Sequence, residues 1–177
     1  MTNLKIGISP LTWTNQSILE LGDHISYEEC ITQAAMAGFN GVELGRKFPE
    51  DASSVLSTLS EKGLVPVTAW YSGRLGERSP EDEWSDAEPE IAHLIALGCK
   101  LMVYGECACG PVGGSSAFFD ATPPLSSIDL ASYAARVTRF ADRVTEAGLT
   151  LVYAPHVMMA VETVEEINQF MKAVGPS

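Results

Sequence analysis

Short apolar runs alternate with longer amphipathic stretches along the whole chain. Five of these runs are rich in Val, Ile, Leu and Tyr, and their length and their β-branched or aromatic content predict strands. The five predicted strands are Leu4–Ser9, Gly41–Gly45, Val65–Ser72, Leu101–Cys107 and Thr150–Val157. The stretches that follow them repeat apolar residues at helical spacing. The pattern therefore predicts five strand–helix units.

The predicted helix ends carry matching signals. Ser26 and Thr163 each precede a helical pattern and have a Glu three residues on, which is the arrangement of a capping box. The second helix is predicted over Asp51–Gly63, the third from about Glu81 to Gly98, and the fourth is capped by Asp129. Four helices end at a Gly that an apolar residue follows. These pairs are Gly38-Phe39, Gly63-Leu64, Gly98-Cys99 and Gly148-Leu149.

Strict alternation of strands and helices predicts an α/β fold with a parallel sheet and right-handed crossovers. Two architectures fit this order, an open doubly wound sheet and a (β/α)8 TIM barrel. Five units in 177 residues give about 35 residues per unit, so eight units need about 280, within the range of the larger barrels. Gly175 repeats the helix-stop position, and no strand follows it. We therefore expect residues 1–177 to form a single TIM-barrel domain that is truncated after its fifth βα unit.

The composition excludes several classes of partner. The chain has 23 acidic and 11 basic residues and a net charge of -12, which argues against binding to nucleic acid or to an anionic membrane surface. We expect neither a secretory leader nor a membrane span, since the first residues lack an apolar stretch of the needed length and no run approaches the roughly 18 apolar residues of a span. The expected location is therefore the cytoplasm. Because an open array of five strands has unpaired edges, we also expect self-association, for example as a homo-oligomer.

In parallel α/β folds, functional residues lie at the carboxyl ends of the strands. Aromatic rings there cover the C–H side of a polyhydroxylated ring, while carboxylates, Lys and His bind its hydroxyl groups. The catalytic candidates are Lys47, Glu106 and His156, and the substrate-binding candidates are Trp13, Glu43, Trp70 and Tyr71. This set predicts a metal-assisted or acid–base enzyme that acts on a small polyol or sugar, without fixing the reaction.

Each ionisable candidate has an alternative interpretation. Glu43 is a site carboxylate, an outward charge, or a carboxylate that pairs with Arg46 or Lys47. Lys47 is a proton carrier or a cation that polarises a ketone, or else a solvated loop lysine. Glu106 ends an apolar strand, where an unpaired carboxylate is costly, so it has a site role or an ion pair. His156 is a metal ligand or a proton carrier.

Several longer motifs carry a family resemblance. They are GISPLTWTN near the start, AGFNGVELGRKFP, the WYS-x-RL-x-ER segment at Trp70–Arg78, LGCKLMVYGE and LVYAPH. Together they resemble the inosose dehydratases of myo-inositol catabolism, which belong to the xylose isomerase-like TIM-barrel superfamily. The resemblance implies a lyase that removes water from 2-keto-myo-inositol (scyllo-inosose) and yields a trihydroxycyclohexane-dione. It also implies a divalent metal, Mn or Co, which would assist the reaction.

The resemblance also implies roles for individual residues. Glu43 and Lys47 are expected to contact the substrate ring or its ketone. Glu106 is expected to help to position the substrate or the metal. Trp13 and Trp70 are expected to pack on the ring.

The fifth strand departs from the family pattern. The family usually has Tyr-His-x-His-Met-Gly-Thr there, whereas this chain has Ala154 at the first His position and keeps only His156. The remaining metal ligands of the superfamily come from strands six to eight and would lie beyond Ser177. Two alternatives therefore stay open, a metal-dependent sugar isomerase or epimerase of the same superfamily and a catalytically silent truncated product.

Overall fold

The computed structural model describes residues 4–16, 18–107, 129–157 and 159–175. In this part of the chain, five strands alternate with five α-helices. The strands are β1 (Gly7–Ile8), β2 (Gly41–Leu44), β3 (Val65–Gly73), β4 (Leu101–Glu106) and β5 (Thr150–Tyr153). The helices are α1 (Tyr27–Met36), α2 (Ala52–Glu61), α3 (Pro80–Ala96), α4 (Leu130–Glu146) and α5 (Val164–Ala173). None of the helices in the described ranges is long and apolar enough to cross a membrane.

The five strands form one parallel sheet in the order β1-β2-β3-β4-β5. Each strand therefore lies beside the next strand in sequence. In a doubly wound sheet the order of the strands across the sheet reverses at one point, whereas in a barrel neighbouring strands follow the sequence order throughout. The order agrees with the predicted barrel. β1 and β5 are shorter than predicted, since each pairs with a neighbouring strand on one side only.

The predicted helix caps are present, but only one of the two predicted capping boxes is complete, because the Glu29 carboxylate accepts from the Gln33 amide and not from the Ser26 N–H. The Ser26 hydroxyl accepts a hydrogen bond from the Glu29 N–H at 3.1 Å, and Thr163 and Glu166 form a complete capping box. α3 begins one residue earlier than predicted, because Ser79 caps it and Pro80 occupies its first turn. The four glycines that end helices all have positive φ, a conformation that a side chain would strain. These are Gly38 (85°), Gly63 (69°), Gly98 (75°) and Gly148 (98°).

Each strand presents one side to the helices and the other to the concave side of the sheet. On the helix face, Tyr71 stacks on Phe140 of α4 and Tyr153 packs on Phe170 of α5, with ring centroids 6.5 Å and 4.4 Å apart. Alternation and strand register assign the remaining side chains to the two faces. The helix face also carries Ala69, Gly73, Met102, Tyr104, Glu106 and Leu151, and the inner face carries Thr68, Trp70, Ser72, Val103, Gly105 and Val152.

An irregularity in β3 sets the position of Glu43 relative to these faces. Val42 pairs with Pro66, but the next residue, Glu43, pairs with Thr68, so Val67 is an extra residue in β3. A bulge of this kind shifts the alternation by one position. As a result, Glu43 shares the inner face with Thr68 and not the helix face.

Candidate functional site

The inner face brings together three of the residues that the sequence singled out. Glu43 lies beside Thr68, and Trp70 follows two residues further along β3 on the same face. The imidazole of His156, which follows β5, meets the Trp70 indole edge-on, with ring centroids 6.1 Å apart and planes at 72°. A carboxylate, a large aromatic ring and an imidazole therefore face the concave side of the sheet.

Glu43 is half-buried, and no hydrogen bond or ion pair of its carboxylate is found among the described residues. The sequence left open a pair with Arg46 or Lys47. Both cations instead bind the Asp23 carboxylate, Arg46 at 3.0 Å and Lys47 at 2.8 Å. The Glu43 carboxylate is thus available to hydrogen-bond a ligand on the inner face.

Lys47 and Arg46 hold the segment between β1 and α1. The Lys47 ammonium group also donates to the Asp23 carbonyl at 2.8 Å, and the Arg46 guanidinium donates to the carbonyls of Asn15 and Leu19, both at 2.8 Å. Hydrogen bonds from Lys47, and then from Arg46, lower the pKa of the Asp23 carboxyl. The charged end of Lys47 is therefore bound to protein. Its partner Asp23 lies 24 residues away in sequence, too far apart for local sequence spacing to predict this ion pair.

Trp13 lies between β1 and α1. Its indole N–H donates to the Gln33 side-chain oxygen of α1 at 2.6 Å, and its ring packs at the edge of the hydrophobic core. Pro10–Thr12 form a short 3-10 turn after β1, and Trp13 directly follows this turn. The expected contact of Trp13 with a substrate ring stays a prediction.

The side chains of Tyr71 and Glu106 both lie on the helix face, and the site roles expected of these residues stay predictions. Tyr71 pairs with Tyr104 in the sheet and stacks on Phe140. Glu106 is fully buried and accepts hydrogen bonds from the Tyr104 hydroxyl at 2.8 Å and from the Gly76 N–H at 2.9 Å. Trp70 and Tyr71 are consecutive in a strand, so only one of them faces the inner side.

The contacts of Glu106 belong to a clamp on the β3–α3 loop, residues 74–79. The Leu75 N–H donates to the Tyr104 hydroxyl at 3.0 Å. The Arg136 guanidinium of α4 donates to the carbonyls of Leu75 and Gly76, at 2.6 Å and 3.2 Å. All four peptide polar groups of these two loop residues are thus bound by side chains from β4 and α4. Glu106 and Arg136 fix the loop at the carboxyl end of β3.

A second buried carboxylate anchors the start of the same loop. Glu83 of α3 is fully buried and accepts a hydrogen bond from the Arg74 N–H at 2.9 Å. Its other oxygen lies 3.9 Å from the Arg78 guanidinium. Burial raises the pKa of the Glu83 carboxyl, and the Arg74 N–H, Tyr71 and Arg78 offset only part of this effect.

The raised pKa of Glu83 predicts a pH-dependent effect of Glu83→Gln. A carboxyl whose pKa is higher in the folded state stabilises the fold at pH values below its unfolded pKa, and this contribution is lost as the pH rises through the folded pKa. The Tm of the variant relative to the native chain should therefore increase from pH 4 toward pH 8 and then level off. Thermal unfolding across this range tests it, and a pH-independent difference would contradict the assignment.

The described residues do not form a metal centre. Within the ranges that the structure covers, no group of three or more His, Cys, Asp and Glu side chains is placed to hold an ion. His156 is exposed, and its Nδ1 lies 2.9 Å from the Val157 carbonyl oxygen. These residues therefore do not fit the Mn or Co that the resemblance implies, and that expectation stays a prediction.

Comparison with known proteins addresses the resemblance directly. No family model matches the chain. The chain is 32% identical over 175 residues to the rhizopine catabolism protein MocC of Rhizobium meliloti, covering 99% of this chain and 54% of that protein. It is also 32% identical over 174 residues to the inosose dehydratase of Geobacillus thermodenitrificans, covering 98% of this chain and 58% of that enzyme.

The chain is similar to the inosose dehydratases. This finding confirms the resemblance that the motifs indicated, and it extends over nearly every residue of the chain. The chain spans a little more than half the length of these curated relatives, so the activity of a whole relative is not transferred to it directly.

A likeness to solved structures confirms the predicted architecture. A fusion protein of a xylose isomerase-like TIM barrel and 4-hydroxyphenylpyruvate dioxygenase matches with a TM-score of 0.68 at 16% identity, covering 96% of this chain and 25% of that chain. At this identity the match establishes the fold alone. Together with the strand order, it shows that the five βα units are arranged as in part of a TIM barrel.

Proposed function

We propose that the chain forms the β1–β5 side of a hydro-lyase site that dehydrates a cyclic keto-polyol, with 2-keto-myo-inositol as the expected substrate. The observation that carries the proposal is the strand register that places Glu43 and Trp70 on the inner face, with His156 against Trp70. Similarity to inosose dehydratases over nearly the whole chain supports the choice of reaction. The proposed substrate is a small uncharged polyol, consistent with the acidic composition.

The three inner-face residues suit the steps of this dehydration. A base removes the proton from the carbon next to the ketone, and the electron pair of that C–H bond forms an enolate. The enolate then expels the hydroxyl from the adjacent carbon, and an acid protonates that hydroxyl to give water. The enol that remains tautomerises to the dione. We assign the transfer of the proton from carbon to the leaving hydroxyl to the imidazole of His156. Glu43 accepts hydrogen bonds from ring hydroxyls, and Trp70 covers the C–H side of the ring.

Lys47 and Glu106 receive positioning roles in this proposal. The Lys47 ammonium group binds Asp23 and thereby holds the β1–α1 segment, and Glu106 binds the β3–α3 loop. Both segments follow strands at their carboxyl ends and so border the proposed site. Lys47 can polarise the ketone directly only if a ligand displaces Asp23. No step is assigned to a metal, because the described residues offer no three-ligand cluster.

Turnover of scyllo-inosose by the purified chain tests the proposal. We expect the absorbance of the dione product to increase with the native chain, and the rate to fall at least about 100-fold in His156→Gln, since a positioned acid–base group contributes this much or more. His93→Gln, in α3, is the matched control and should keep the native rate. The assay is run with and without added Mn²⁺ or Co²⁺.

Two results would contradict this function. If the native chain forms no dione under any of these conditions, the chain does not catalyse the dehydration. If aldoses and ketoses are interconverted instead, the sugar isomerase alternative is favoured.

A further inference from the structure

We infer that Gly105 and Ser72 are positioning residues that hold the Trp70 indole as a fixed platform for a ring-shaped ligand on the inner face. The inference rests on the proposed function for the identity of the ligand. It extends that function by naming the residues that set the platform and the ligand shape that the platform selects.

Gly105 provides the space that the indole occupies. Trp70 lies on β3 opposite Val103, and its ring crosses β4 at the next inner-face position, Gly105. A Cβ atom at Gly105 would overlap the indole atoms Cζ2 and Cη2 and would lie 3.0 Å from Cε2. Any residue other than glycine at this position would push the ring away from the sheet. The six-membered part of the indole therefore occupies the space next to Gly105, because position 105 has no side chain.

Ser72 fixes the other end of the ring. The indole N–H of Trp70 donates to the Ser72 hydroxyl at 3.1 Å, within the same face of the same strand. The edge-on contact with His156 limits movement toward β5. The ring is thus held at its nitrogen, over its six-membered part and along one edge. Trp70 remains half-buried, so part of the indole surface stays accessible from the concave side.

A flat, fixed aromatic surface selects ligands with a continuous C–H face. A cyclohexanone whose hydroxyls are all equatorial, as in scyllo-inosose, presents axial hydrogens on both sides of its ring. An open-chain ketose has no such face. The platform therefore favours a cyclic polyol over an open-chain sugar, and Gly105 is a specificity-determining position because it sets the height of the platform.

A double-mutant cycle tests the positioning without any ligand. Gly105→Ala in the native background should lower the Tm by at least about 3 °C, because the added methyl group overpacks the space that the indole occupies. In a Trp70→Ala background the added methyl group has room, so the same change should lower the Tm by less than about 1 °C. An equal decrease in both backgrounds would show that Gly105 does not seat the indole.

Calorimetric titration with scyllo-inosose tests the platform role. Trp70→Ala and Gly105→Ala should each raise the Kd about tenfold, the loss expected for one aromatic contact. Ser72→Ala should raise it about threefold, and L-erythrulose, a ketose too short to form a stable ring, should bind the native chain at least tenfold more weakly than scyllo-inosose. Gly7→Ala is the matched control, because its added methyl group meets only ordinary contacts, the nearest at 3.5 Å.

The outcomes separate the two proposals. If the native chain binds scyllo-inosose and the Trp70 and Gly105 variants bind it equally well, the platform role is overturned and the proposed function stands. If the native chain does not bind scyllo-inosose, the ligand assignment fails, and the platform role fails with it, even when the double-mutant cycle shows that Gly105 seats the indole.

Discussion

Replacing Glu106 with alanine is expected to lower the free energy of unfolding by about 3 kcal/mol. The substitution leaves the half-buried Gly76 N–H and the fully buried Tyr104 hydroxyl without their shared acceptor. Loss of the carboxylate also weakens the clamp that Arg136 completes from α4. The midpoint of urea unfolding, followed by circular dichroism, measures the effect.

Two matched variants show whether the buried hydrogen bonds cause this loss. Glu106→Gln keeps one acceptor oxygen and should cost about 1 kcal/mol, the typical net value of one hydrogen bond. Glu61→Ala removes an exposed carboxylate at the end of α2 and should change stability by less than about 0.5 kcal/mol. If Glu106→Ala were as mild as Glu61→Ala, the clamp would not contribute to folding, and the positioning role of Glu106 would be lost.

The fold could be predicted from the sequence because its signals are local. Ser26 and Thr163 accept hydrogen bonds from N–H groups three residues away, and Gly63 and Gly98 adopt a positive φ at the end of their own helix. Such features are complete within one turn of chain, so a short window of sequence contains them. Strict alternation then predicts a parallel sheet with right-handed crossovers. The number of residues per unit favours the barrel, and hence the strand order β1 to β5, over a doubly wound sheet.

The site was only partly predictable, because it depends on which face each strand residue occupies. Trp70 and Tyr71 are adjacent, so alternation shows that one of them faces the helices, but only the contact with Phe140 in α4 identifies that residue as Tyr71. The bulge at Val67 pairs Glu43 with Thr68 of the inner face, and nothing in the residue itself indicates a bulge. Each choice depends on packing between segments that are distant in sequence.

The two faces of the β3–β4 pair follow one packing rule. On the inner face the Trp70 ring crosses Gly105, and on the helix face the Tyr104 ring crosses Gly73. Each large aromatic ring thus lies over a glycine of the neighbouring strand. The inner pair presents a ring to the proposed ligand, while the outer pair lets the Tyr104 hydroxyl reach Glu106 and the Leu75 N–H. The same arrangement therefore sets both the platform and the loop beside it.

Gly73→Ala is accordingly expected to be the most damaging single methyl addition in this sheet, with a loss of about 4 kcal/mol. The new Cβ would overlap the Tyr104 ring at Cε2 and Cζ. Tyr104 is fully buried among Tyr71, Phe140 and Tyr153, so its ring has no space into which to move. Any displacement would also break the bonds of its hydroxyl to Leu75 and Glu106. Urea unfolding measures the loss.

The matched variant for this prediction is Gly7→Ala in β1, where the added methyl group makes only ordinary contacts and should change stability by less than about 1 kcal/mol. Hydrogen exchange at the Leu75 and Gly76 amides separates two ways in which Gly73→Ala could act. If the Tyr104 hydroxyl is displaced, both amides should exchange faster in the variant, because the Leu75 N–H loses its acceptor and Glu106 loses a partner that orients it. If Gly73→Ala were as stable as Gly7→Ala, the Tyr104 ring would be able to swing aside, and Tyr104 could not be a rigid part of the clamp on the β3–α3 loop.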